Sequence, residues 1–148
     1  MNYATYSADQ LRVVMENAKN RGNMEVYTLA KKLRYAAIYR DSLETEEKAT
    51  RLAEFESENR ACLAVWEALQ ADRKEYKKYT ATRTRLLEKN RGSIGALVYT
   101  IENNSFGSNV LFEEGLFEYS NEALIVKYAD LFPEEIVVKC ANRLDRAA

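Results

Sequence analysis

Apolar residues recur at helical spacing along most of this chain. Leu11, Val14, Met15 and Ala18 stand at i, i+3, i+4 and i+7, one stripe of a first helix. Ser7-Ala8-Asp9-Gln10 opens that helix as a capping box, in which Ser7 and Gln10 satisfy each other's backbone amides. Gly22 closes it. A second helix is predicted from Met24 to Arg40, with Val26, Leu29, Ala30, Leu33 and Ala37 on its inner face. So short a connection makes the two an antiparallel hairpin. No second copy follows at a period of about 34 residues, which excludes a helical-repeat array.

Asp41, Ser42 and Thr45 are candidate caps for a third helix, predicted from about Thr45 to Lys78. Leu52, Phe55, Asn59, Cys62, Trp66, Leu69, Arg73 and Tyr76 follow in alternating steps of three and four. Leu63 and Val65 widen this seam around Trp66, as suits a helix buried in a globular core. Trp66 is expected to be buried with it. The alternative is an intermolecular coiled coil, with Asn59 setting its register and the Leu52–Tyr76 seam joining a homodimer.

Beyond Tyr79 the pieces shorten. Thr80 or Thr82 is expected to cap a helix reaching Asn90, Gly92 to stop it, and Ser93 to cap an apolar helix from Ile94 to Ile101. Asn103-Asn104-Ser105-Phe106-Gly107 reads as a loop. Helices are predicted at Asn109–Leu116 and Asn121–Leu131, the second opened by Ser120. Pro133 stands at the first position of a last helix carrying Ile136, Val137, Cys140, Ala141 and Leu144 inward. The expected fold class is all-α: a compact multi-helix bundle with an N-terminal helical hairpin, one long central helix and a C-terminal cluster of short helices. Residues 1–148 read as a single helical domain, with a long-helix half over 1–79 and a short-helix bundle over 80–148.

Composition agrees with that pattern. One proline and five glycines in 148 residues are too few for the frequent turns of a β-rich chain. A hydrophobic share of 47% is enough for a core. No apolar run approaches the ~20 residues needed to cross a bilayer, and Met1–Tyr6 lacks the features of a signal peptide. A cytoplasmic protein without a membrane partner is expected. Cys62 and Cys140 sit among apolar neighbours, where a free cysteine serves as a small hydrophobe.

The chain has no histidine, which removes the Ser-His-Asp and Cys-His nucleophile systems and most zinc sites. There is no Gly-rich phosphate loop of the G-x-x-x-x-G-K-[ST] or G-x-G-x-x-G kind. Adjacent carboxylates at Glu46-Glu47, Glu113-Glu114 and Glu134-Glu135 diverge by about 100° around a helix. Glu54 and Glu58 share a face, but nothing in their neighbourhood in sequence would tune them for acid–base work. No enzyme activity, metal or cofactor is expected.

Binding is the remaining class. Between residues 73 and 91 lie Arg73, Lys74, Lys77, Lys78, Arg83, Arg85, Lys89 and Arg91, against Glu75 and Glu88 alone. This local excess of six positive charges falls in a chain of net charge −1. With Tyr76, Tyr79, Thr80, Thr82 and Thr84 interleaved, it is a candidate contact surface for phosphates or for an acidic partner protein. The plainer alternative is a solvated surface whose charges pair with the acidic stretch Glu44–Glu58. Thr82–Asn90, Gly92 and Ile94–Ile101 have the layout of a helix-turn-helix, but Ile94, Ala96, Leu97, Val98 and Ile101 suit a core and not base edges. Phe106, between Ser105 and Gly107, is the candidate exposed anchor.

The segment from Thr82-Arg83-Thr84-Arg85 to Arg143-Leu144 resembles helical segments of uncharacterised bacterial proteins, a likeness that carries over no function and no residue. The leading expectation is a non-enzymatic protein–protein interaction module: an adaptor, inhibitor or immunity-type protein of a bacterium or phage. The alternative is a nucleic-acid-binding accessory protein using Arg73–Arg91. Far-UV circular dichroism checks the helical reading that underlies both. A helix-dominated spectrum with under about 10% strand is expected, well below the base rate of globular proteins.

Overall fold

A computed structural model describes residues 3–43, 50–74, 81–103 and 108–147, except the side chains of 82 and 83. Every regular element among the described residues is helical. They are α1 (Ala8–Asn20), α2 (Met24–Ser42), α3 (Arg51–Arg73), α4 (Thr82–Glu102), α5 (Asn109–Glu113), α6 (Asn121–Lys127) and α7 (Glu134–Ala147), with 3₁₀ turns at Tyr3–Thr5, Phe117–Tyr119 and Ala129–Leu131. The protein is all-α. It contains two compact units, Met1–Leu43 and Glu44–Ala148. The seam expected near residue 79 lies in 75–80, outside the described residues and within the second unit.

In the first unit the hairpin forms as its caps require. Gln10 N donates to Ser7 Oγ at 3.2 Å, and Ser7 N donates to Gln10 Oε1 at 2.8 Å. At the far end Gly22 N donates to Lys19 O and Asn23 N to Ala18 O, the paired bonds of a Schellman stop. Gly22 has φ +71°, a conformation that glycine adopts without a Cβ penalty. Asn23 then caps α2, accepting from Val26 N at 3.2 Å. Leu11 and Met15 of α1 pack with Ala30 and Ala37 of α2, flanked by Tyr3, Tyr6, Tyr27 and Leu33. Leu29 departs from the expected inner face: it is 48% exposed, standing about 100° around the helix from buried Ala30. Asp41 and Ser42 do not cap α3. They belong to the last turn of α2, where Ser42 Oγ donates to Ile38 O at 2.7 Å.

The second unit is organised along α3. Its cap is Thr50, whose Oγ1 accepts from Ala53 N at 3.1 Å, and it ends at Arg73, short of the expected Lys78. Thr45 and the Glu46-Glu47 pair lie outside the described residues. Phe55, fully buried, meets Tyr128 and Phe132 edge to face, with ring centroids 5.5 Å apart in both pairs. Arg51 lies over the Tyr128 ring at 4.2 Å while binding Asp130 at 3.3 Å and Lys127 O at 3.0 Å. Glu58 takes the Lys127 ammonium at 2.7 Å, and Glu54 stands 3.6 Å from Arg51. Both carboxylates are thus engaged in ion pairs.

Gly92 divides α4 as expected, with φ +77° and ψ 168°, a combination essentially confined to glycine. The predicted helix 109–116 stops earlier, at Glu113, and the predicted helix 121–131 continues beyond Lys127 only as a 3₁₀ turn. Ser120 opens α6, accepting from Ala123 N at 3.1 Å. Pro133 sits one position before the predicted one, its carbonyl accepting from Val137 N at 3.2 Å. Its missing N–H is harmless at either place. Between α6 and α7, Glu122 is 2% exposed with Arg143 3.7 Å away. Burial raises its pKa, opposed by Ser108 and Arg143.

Two outcomes follow. Phe55→Ala removes the ring that Tyr128 and Phe132 share and should cost about 3–5 kcal/mol in urea unfolding, whereas Leu52→Ala, at a position 44% exposed, should stay within about 0.5 kcal/mol. The second concerns the cysteines. Burial pushes both thiols from 9.0 up to about 12, with Glu58 adding to the shift at Cys62 and Glu122 at Cys140. The native state therefore keeps protons that the unfolded chain loses. Their contribution to stability is full below pH 9 and declines as pH rises toward 12. A thiol-specific reagent at about pH 8 should find neither cysteine in the folded protein and both in urea.

Candidate functional site

α3 and α4 are joined in antiparallel order by side chains reaching between them. Ser93 Oγ donates to Glu56 Oε1 at 3.3 Å, and Asn59 Nδ2 to Glu88 Oε1 at 3.0 Å. Further along α3, Glu67 accepts from Ala81 N at 3.1 Å through one carboxylate oxygen and from Arg85 through the other. The cap residue, Ala81, makes no side-chain cap bond at that end. The carboxylate from α3 supplies the acceptor for an otherwise orphaned amide, where the helix dipole also favours negative charge. Asn59, read from the sequence as a coiled-coil register residue, is buried and spends its amide within the chain.

Beside this row opens a cavity of about 420 Å³. α3 contributes Asn59, Cys62, Leu63 and Trp66. The first half of α4 contributes Leu87 and Glu88, the second half Ala96, Leu97, Tyr99 and Thr100. Leu111, Tyr119 and Asn121 close the far side. The turn at Gly92 is what lets two halves of one helix line the same space. Trp66 is only half-buried, a correction to the expectation of full burial: the seam holds, but at this position it faces a space that no described side chain fills. The volume lies within the range of ligand pockets, and mostly apolar walls with a few polar groups are their usual make-up.

The chemistry of the lining is restrained. Cys62, pushed up to about 12, stays a thiol near neutral pH and is a poor nucleophile. Tyr119 is raised by burial and by Glu118 and Cys62, so its phenol keeps its proton. Glu88 is the one charged side chain among the described lining residues. No three acidic or cysteine side chains come together as a metal site among the described residues.

Three residues of the predicted basic segment make contacts within the second unit. Arg73 pairs with Glu113 at 3.3 Å, Arg85 with Glu67, and Arg91 lies over the Tyr99 ring at 4.2 Å. The partners of Arg73 and Arg85 are not in the Glu44–Glu58 stretch proposed for them. Lys74 stands at the end of α3, its backbone N–H bonded to Ala71 O, and Lys89 is exposed on α4. Lys77, Lys78 and Phe106 lie outside the described residues, as does the Arg83 side chain. Exposed ion pairs contribute only about 0–1 kcal/mol each. Their main effect here is to offset the local excess of positive charge.

The second half of α4 buries Ala96, Leu97 and Ile101, consistent with a core helix and unsuited to reading bases. The cavity itself had only an indirect signal in the sequence: Glu56, Asn59 and Glu67, polar residues on one face of α3, needed partners from elsewhere. No family model, curated protein or solved structure matches this chain.

Proposed function

We propose that this chain is a non-enzymatic helical binding module whose partner is another protein, which seats a side chain in the cavity between α3 and α4. The observation that carries this reading is the half-buried Trp66 on an open cavity of about 420 Å³ walled by Leu63, Leu87, Leu97, Tyr99 and Tyr119. Tryptophan and tyrosine dominate interface hot spots because they offer large, rigid area beside a water-excluding pocket. The described lining groups include no activated nucleophile, which supports binding over catalysis. An adaptor, inhibitor or immunity-type role is compatible with such a surface. The nucleic-acid alternative has less support, since Arg73, Arg85 and Arg91 are already engaged within the unit.

The test begins with affinity capture from nuclease-treated and untreated lysate, followed by titration of the purified partner against variants. Trp66→Ala and Leu87→Ala should each weaken the partner by about tenfold or more, with helical content unchanged. Val13→Ala, in the other unit, should leave the affinity within about twofold. A partner indifferent to Trp66 and Leu87 refutes the cavity as its site, and capture abolished by nuclease transfers the function to nucleic acid.

A further inference from the structure

We infer that the side chain seated in this cavity is a lysine. The inference rests on the reading of the cavity as the partner's site and adds the chemistry of what enters it. Glu88 is the single charged group among the described lining residues, set among apolar and aromatic walls with the neutral polar side chains of Thr84, Thr100, Asn103 and Asn121. Of the described cations along α4, Arg85 is held by Glu67, Arg91 lies over the Tyr99 ring, and Lys89, next to Glu88, is exposed and not among the lining residues. Among the described residues, Glu88 faces the cavity's contents with the neutral amide of Asn59 bonded to it. A ligand bearing a negative charge would meet this carboxylate across a low-dielectric space, and a purely apolar one would leave it desolvated without compensation.

A cation on an apolar stem satisfies both demands. Its methylenes cover the leucine walls, as lysine stems do on apolar surfaces, while its charge reaches Glu88 beside aromatic rings that favour cations. Lysine is preferred over arginine by the geometry of the acceptor. Asn59 Nδ2 already donates to Glu88 Oε1 at 3.0 Å, so the two-pronged contact of a guanidinium would add a second donor to that oxygen, while Oε2 carries none among the described residues. An ammonium is a compact charge with rotatable donors and needs one oxygen.

Trp66, the only tryptophan in the chain, reports directly on the cavity. Its emission and its indole N–H resonance can be followed on addition of n-butylammonium, n-butylguanidinium, 1-butanol and butyrate. We expect n-butylammonium to bind about tenfold more tightly than 1-butanol, n-butylguanidinium to bind more weakly than the ammonium, and butyrate to leave Trp66 unchanged. Glu88→Gln, which keeps an oxygen for Asn59, should bring the ammonium down to the level of the alcohol. The wild-type ranking is decisive even if that variant folds poorly. Equal binding of amine and alcohol, tighter guanidinium binding, or no response of Trp66 to any probe overturns the lysine. None of these touches the partner-capture result, which stands or falls on Trp66→Ala.

Discussion

The second unit depends on the way α3 carries polar side chains where an ordinary bundle helix would carry leucines. Glu56, Asn59 and Glu67 meet Ser93, Glu88, and the Ala81 amide with Arg85, in that order. Hydrogen bonds of this kind contribute individually about 0.5–1.5 kcal/mol, and somewhat more where a charge takes part. Their larger effect is on register. A leucine interface tolerates sliding because one methyl resembles another, whereas Asn59 and Glu88 must coincide or leave a buried amide unsatisfied. Long polar side chains also span a gap that apolar ones would close by interdigitation. The cavity is thus the spatial counterpart of the polar row beside it.

Local signals were legible in the sequence because their partners lie within one turn of the chain. Ser7 with Gln10, Gly22 after Lys19, and Ser120 before Ala123 are all contacts of three residues, and each forms. Phe55, Cys62 and Leu69 are buried on the predicted seam for a related reason: periodicity alone determines which face turns inward. Failures begin where a residue's partner is distant in sequence. Ser42 was a plausible cap for α3 until its hydroxyl was seen to bind its own helix. The cap position expected at Thr80 or Thr82 falls on Ala81, whose N–H is taken by a carboxylate fourteen positions upstream.

The basic segment illustrates the same limit in electrostatic form. Counting charges within a window treats neighbours in sequence as neighbours in space. Glu67 and Glu113 lie outside the window but next to Arg85 and Arg73. Trp66 shows the converse. Its seam position was read correctly, but burial also requires something opposite, and the spacing of α3 and α4 is not encoded in either helix alone.

The turn joining α1 to α2 has a consequence for the length of the chain. Asn23 gives its backbone N–H to the end of one helix and its side chain to the start of the next, so the connection contains no residue free of both. A single inserted residue would have to lengthen α2 from its first turn or separate the two caps. In the first case every later side chain rotates by about 100°, carrying Ala30 and Ala37 away from Leu11 and Met15. Variation in length is therefore barred from this hairpin at the point where, on the surface and between two helices, it would ordinarily be most freely accepted.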